Sequence, residues 1–342
     1  MSSDFTRNQL HVVHSRSVAL GIALFACDVI GYLVCVASIV HARSWPVQAL
    51  FALAATIFVG RLFMLGHDAC HQSLTPSRRL NRWLGTLAFL PSLHPFSLWD
   101  LGHNRIHHRY TNQRGLDYVW EPLDPAEYAR LPALARWRYR SFRTPVGHLA
   151  YYSIEIWWRK MFFPRPSEIA GYSREYVWDH VVVTAWALLM PAMLIALRHY
   201  WVGVSTPWSD LAATIIWAAV IPLAGFNVVM SGLIYLHHTH PAVVWTRADE
   251  AAAGSQITGA VHVVLPAVIE RALHHIMDHP AHHARPGIPL YRLDGAEALL
   301  EQRHDSVIVQ QWSLAFHLDT LRRCKLFDLR KRDWVQFDGA ST

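Results

Sequence analysis

Four long apolar stretches constrain this chain more than anything else in it. They run over residues 18–40, 46–65, 177–197 and 209–236, and each approaches or exceeds the roughly 20 residues a helix needs to cross a bilayer. A backbone in lipid must satisfy its own polar groups, so runs of this kind span as helices. The first two are joined by a tight turn at His41–Trp45 and the last two by residues 198–208. Two membrane hairpins follow. A fifth apolar segment, 83–99, is broken by Pro91 and Pro95 and is expected to be re-entrant or interfacial, while 257–270 is too short and polar to span.

Sidedness comes from the basic residues. The two hairpin turns hold only Arg43 and Arg198, and nearly all other Lys and Arg residues fall in the N-terminus, the middle segment or the C-terminal region. The positive-inside rule therefore places both termini, residues 66–176 and residues 237–342 in the cytoplasm. Only 16% of residues are charged, against about 25% in soluble domains, and the 15 tryptophans suit membrane interfaces. The net charge of +6 flanks apolar spans rather than covering a soluble domain, which argues against nucleic acid as a partner. Asp4, Arg7, His11, His14 and Arg16 precede the first apolar run, and no small-residue cleavage site follows it; it reads as a retained helix. Cys27, Cys35, Cys70 and Cys324 show no spacing suited to a disulfide framework or a CxxC site. With no internal repeat or low-complexity linker, residues 1–342 are expected to form one domain.

Histidine is the outlier, with 23 residues against 25 acidic ones. Most fall into four groups: His67-Asp68-Ala69-Cys70-His71, His103-Asn104-Arg105-Ile106-His107-His108, His237-His238-Thr239-His240, and His279-Pro280-Ala281-His282-His283 preceded by His274 and His275. A four-residue spacing puts two rings on one helix face. All four groups fall on the side that the basic residues assign to the cytoplasm. For a lone histidine such as His94, His148 or His199, an ordinary core or interfacial role is favoured; for the groups, metal ligation is. Imidazole suits Zn, Cu, Fe and Ni, and a single zinc takes about four ligands, so eight or more histidines call for two metals. Ligating rings usually give their distal N–H to a carboxylate, for which Asp68, Asp100 and Asp278 are candidates.

Here the sequence resembles the membrane-bound fatty acid desaturase superfamily, marked by three histidine boxes that read GHDACHQS, WDLGHNRIHHRYTN and DHPAHH in this chain. YLHHTHPAVVW resembles the YLQHTHP stretch of the delta-12 and omega-3 type branch, which also holds acetylenases and hydroxylases. The resemblance covers about residues 60–285. It implies an all-α integral membrane fold, with four transmembrane helices in two hairpins, interfacial helices and a cytoplasmic helical cap holding a di-iron site. The implied iron ligands are His67 and His71; His103, His107 and His108; His279, His282 and His283. A further ligand is expected from the segment after the fourth span, His238 first, His240 second, with His237 where the branch has Gln. His274 matches a histidine often found before the third box, as a ligand or a supporting group.

The implied activity is O2-dependent desaturation of a fatty acyl chain. No side chain is basic enough to deprotonate a methylene, so a cofactor metal must supply the oxidant. There is no Gly-rich dinucleotide fingerprint and no HPGG motif of a fused cytochrome b5 domain. Electrons are therefore expected from a separate donor of the ferredoxin or cytochrome b5 type. Trp99, Leu101, Phe226 and Met230 are candidates for an acyl tunnel, with ordinary packing the favoured alternative. Arg136-Trp137-Arg138-Tyr139-Arg140, Trp157-Trp158-Arg159-Lys160 and Arg330-Lys331-Arg332 read as anchors to anionic lipid or, less favoured, as contacts to an acidic partner. The expected location is a bacterial inner membrane with the site on its cytoplasmic side. Hydroxylation, ketolation and alkyne formation remain within the same chemistry. A metal transporter would hold its ligands near the membrane midplane, and a haem carrier would pair histidines inside the spans.

Overall fold

The computed structural model describes residues 13–165, 173–250 and 255–342; Asp4, Arg7 and His11 lie outside them. The chain divides into two compact units: residues Arg16–Asp100 with Ser153–Val229, and Leu101–Tyr152 with Met230–Thr342.

The first unit holds most of the apolar helix. Four segments are long and apolar enough to cross a membrane: Val18–His41, Trp45–Cys70, Arg174–Val202 and Trp208–His238. Each reaches beyond its apolar run, because a helix continues through polar residues that a hydropathy reading excludes. The extension matters most in the second, which carries His67 to its last turn. Ser17 caps the first helix by accepting the Leu20 N–H at 3.2 Å, satisfying a donor that has no partner within the helix. Side chains such as Leu50, Leu53 and Leu188 stay exposed, as lipid-facing positions require. Inside the unit, Ile39, Val40, Ala52, Leu194 and Ala218 form a shared core.

Asp28 and Asp179, charges buried in these spans, are paired, as burial in hydrocarbon demands. Asp28 is fully buried and accepts from Arg61 Nε at 2.6 Å. The broken segment forms two helices, Arg78–Phe89 and Phe96–Trp99. Asp179 holds it, pairing with Arg82 and accepting the Ser97 N–H at 2.8 Å. Trp99 and Phe226 both meet Phe63, with ring centroids 4.8 and 4.9 Å away. Two of the residues suggested for a tunnel are thus packed core.

The second unit is built on different lines. A π-helix, Asp100–His107, leads into it; the helices Pro125–Arg130, Ala133–Ser141, His279–Ala284 and Leu293–Glu301 follow. Short strands join distant parts, an addition to the all-helical expectation. Gln113–Arg114 pairs in parallel with Thr246–Arg247, Val261–Val264 with Ile308–Gln311 in the register Val261↔Ile308, and Leu326–Asp328 runs antiparallel to Asp333–Val335. The segment 257–270 therefore contributes a strand. The basic-aromatic stretch 136–140 only partly faces outward. Trp137 is exposed, but the Tyr139 hydroxyl accepts the Leu123 N–H at 3.0 Å and donates to the Lys325 carbonyl at 2.8 Å.

Candidate metal centre

Seven of the expected ligands lie in the second unit, and their ring nitrogens fall into two groups. His107, His238, His279 and His283 each offer a nitrogen within 4.8 Å of the others, as do His103, His108 and His282. All seven are buried. Local backbone explains how neighbours in sequence serve different groups. In the π-helix the His108 N–H bonds the His103 carbonyl at 2.9 Å, so the wider turn aligns residues five apart. His103 and His108 face one group, and His107 faces the other. In the helix His279–Ala284, His279 and His283 share a face at four-residue spacing, and His282 turns to the first group. The groups touch, with the His108 and His283 rings stacked at 4.2 Å.

The distal nitrogens fix which atom faces inward. His107 Nδ1 lies 3.0 Å from both Asp117 oxygens, and His238 Nδ1 lies 3.0 Å from the Gly259 carbonyl. Thr111 Oγ1 donates to the His107 carbonyl at 2.9 Å, which leaves it to accept from His283 Nδ1 at 3.3 Å. Acceptors at Nδ1 place the ring proton there and leave Nε2 as a bare lone pair. Those lone pairs converge. His238 Nε2 is 3.1 Å from His107 Nε2 and 3.0 Å from His279 Nε2, and His283 Nε2 is 3.1 Å from His279 Nε2. In the other group, His108 Nε2 is 3.0 Å from the Nε2 atoms of both His103 and His282. Facing lone pairs repel; a cation about 2.1 Å from each nitrogen relieves them and suits such edges. Burial, and then the neighbouring imidazoles, hold His279 and His283 well below the usual histidine range, so both stay neutral and able to ligate. The donor set fits metal.

His67 and His71 lie in the first unit, at the end of the helix Trp45–Cys70, their ring centroids 4.8 Å apart. The fatty acid desaturase family model matches residues 43–313. The chain belongs to the fatty acid desaturase family. It is 31% identical to an sn-1 oleoyl-lipid 12-desaturase of Picosynechococcus sp., over 89% of this chain and 83% of that one. It is 30% identical to a chloroplast omega-6 fatty acid desaturase of Brassica napus, over 81% of this chain and 59% of the relative. The chain thus spans less than two thirds of the chloroplast relative's length. An sn-1 oleoyl-lipid 12-desaturase of Arthrospira platensis is 31% identical over 68% of this chain and 62% of its own. These relatives place the desaturase chain among oxidoreductases and in the delta-12 type branch, and the family implies iron at the histidine groups and a fatty acyl substrate.

Several residues singled out in the sequence sit elsewhere in this desaturase. His237 stacks on His279 at 3.8 Å, but its Nε2 meets the Met277 sulfur at 3.1 Å. His240 Nδ1 accepts the Ala242 N–H at 3.0 Å. His274 is buried on a backbone with φ of 53°. None of the three joins either ring group. Asp278 contacts His262 and His275, not a ring of the groups. Asp68 is buried, its carbonyl taking the Ser73 N–H at 3.0 Å, and Asp100 opens the π-helix. Asp117, whose carboxylate meets His107 Nδ1, is not among the carboxylates that the sequence singles out.

Proposed function

We propose that this chain is an O2-dependent acyl-lipid desaturase, inserting a double bond at carbon 12 of an oleoyl chain carried on a membrane lipid. The reading rests on one observation above all: the Nε2 lone pairs from the second box, the third box and the YLHHTHP segment meet in two adjoining groups. The printed names of the relatives support the lipid-borne oleoyl substrate and the position of attack. Two irons are the proposed metals, with His67 and His71 proposed as further ligands, as the first histidine box implies. The iron pair, given O2 and two electrons, supplies the oxidant that can take hydrogen from an unactivated methylene.

The chain's own residues hold that chemistry in place. Asp117, the Gly259 carbonyl and Thr111 lock three imidazoles in the tautomer that turns Nε2 inward. Burial of all seven rings excludes water from the reacting centre. Electrons come from a separate protein of the ferredoxin or cytochrome b5 type. The site faces the cytoplasm of a bacterial inner membrane, as the basic residues argue.

Expression in a host rich in oleoyl lipids tests the reading. Mass spectrometry of the released acyl chains should show a product lacking two hydrogens, its new double bond at carbon 12. A product that has instead gained an oxygen atom would make the chain a hydroxylase, and unchanged oleate would remove the substrate assignment. Iron near two per chain in the purified protein is the independent expectation.

A further inference from the structure

The second unit has another concentration of ligating groups, outside the seven histidines. A cavity of about 430 Å³ is lined by Glu270, Asp278, Asp294, Glu297 and Glu301, with Arg271 as its guanidinium. Such a surplus of carboxylates is not by itself a site, but Glu297 adds a second fact. The residue is 1% exposed. One oxygen, Oε2, accepts the Ala281 N–H at 2.7 Å, while Oε1 has no hydrogen-bond partner. A buried carboxyl oxygen without a partner, facing a polar cavity, is placed for a positive group to reach it.

His262 Nδ1 lies 3.9 Å from Glu297 Oε1 and 2.5 Å from Glu301 Oε1. The three atoms lie within 4.8 Å of one another. Across the ring, His262 Nε2 is 3.2 Å from Asp278 Oδ1. An imidazole that gives Nε2–H to a carboxylate and turns Nδ1 toward two further carboxylates has the arrangement of a carboxylate–histidine–metal relay. We propose that His262, Glu297 and Glu301 form a third metal site, separate from the histidine groups, that binds a divalent first-row ion through one nitrogen and two carboxylates, with Asp278 orienting the imidazole. Mixed imidazole and carboxylate ligands suit Mn²⁺, Fe²⁺ or Zn²⁺. The ion replaces the proton between His262 and Glu301 and reaches the open oxygen of Glu297.

The site has a structural consequence. Glu297 lies on the helix Leu293–Glu301 and holds the N–H of Ala281, inside the helix that carries His279, His282 and His283. His262 lies on the strand Val261–Val264. An ion joining His262, Glu297 and Glu301 ties that strand and helix together behind the third histidine box. Burial pushes the Glu297 carboxyl up, so binding there releases a proton.

The test uses the full-length, iron-loaded protein in detergent and Mn²⁺ as a paramagnetic probe. Electron paramagnetic resonance of free Mn²⁺ should show the wild type taking up one ion per chain. His262→Gln and Glu301→Gln should bind it at least roughly tenfold more weakly. Both positions are partly exposed, so neither change leaves a fully buried gap, and Glu301→Asp should recover part of the binding. Mn²⁺ remaining free with the wild type overturns the site, and so does equal uptake by wild type and both variants. Iron content, measured on the same samples, tests the di-iron reading separately: a shortfall common to all three proteins sinks that reading without touching the Mn²⁺ difference.

Discussion

Asp117 lies 3.0 Å from Nδ1 of His107 through both of its carboxylate oxygens. Those oxygens also accept the Asn112 and Val119 N–H groups, each at 3.0 Å. The carboxylate is fully buried and meets the ring it orients together with those two backbone N–H groups. The pairing sets the His107 tautomer and raises the basicity of the inward nitrogen.

Asp117→Asn keeps the shape and removes the charge. The amide can still accept one bond, but its NH2 then faces a backbone N–H. We expect a loss of about 10- to 100-fold in activity or metal affinity, with the fold retained. Iron content and acyl product, measured side by side with circular dichroism, check this. Full iron and full turnover in the variant would show that Asp117 does not govern the ring.

The histidines were legible in the sequence because ligand chemistry resides in the side chains and their spacing. Asp117 was not, for a physical reason. Carboxylates beside the boxes in sequence are visible as candidates, whereas support depends on where a loop returns. This loop turns at Asn112, whose φ is 56° and whose carbonyl accepts the Thr246 N–H at 3.0 Å, a bond made by residues far away in sequence. The π-helix was hidden similarly, since no residue type marks a five-residue turn. Four spans are legible in the sequence, and the helices run past the ends of their apolar stretches. Polar residues there, His67 and His238 among them, interrupt hydropathy without interrupting hydrogen bonding.

His238 and His240 separate cleanly. His238 contributes Nε2 to a ring group with its Nδ1 on Gly259, whereas His240 takes the Ala242 N–H and faces Phe316 at 5.8 Å. His238→Ala should lower activity to below roughly one hundredth and reduce bound iron. His240→Ala should leave both within about twofold. Product analysis and metal content for the two variants decide it, and a reversed order would exchange their roles.

Acid stability should follow the pair His148 and His317, whose Nε2 atoms are 3.0 Å apart. Burial lowers both, and the His148 ring adds to the effect on His317, taking it from 6.5 to about 4. Above the ordinary histidine value neither folded nor unfolded rings carry the proton, and nothing is lost. As pH falls below 6.5, the unfolded rings bind protons that the folded pair refuses, so stability drops until about pH 4. Melting temperature should decline over that window. His317→Phe, which cannot titrate, should flatten the decline. An unchanged slope in the variant would assign the acid sensitivity to other groups.

Arg198 joins both membrane hairpins at their turns. Its guanidinium holds Asp210 through Nε at 3.0 Å and through Nη2 at 2.8 Å. Its Nη1 donates to the Val40 and Ala42 carbonyls, the latter bond 2.7 Å long. Val40 and Ala42 end the first helix, Arg198 the third, and Asp210 begins the fourth. Arg198 is 2% exposed while Asp210 keeps about a third of its surface, so the ion pair is partly screened and its loss costs less than a fully buried one. Arg198→Ala should still destabilise by about 2–3 kcal/mol, because two carbonyls lose their donor as well. Arg198→Lys should recover only part of that, since one ammonium cannot match the planar fork that reaches a carboxylate and two carbonyls at once. Thermal unfolding in detergent should rank wild type above Lys above Ala. Activity per folded molecule should stay the same in all three, because no part of this contact lies at the histidine groups. A Lys variant as stable as the wild type would reduce Arg198 to a simple charge, and its fork geometry would count for nothing.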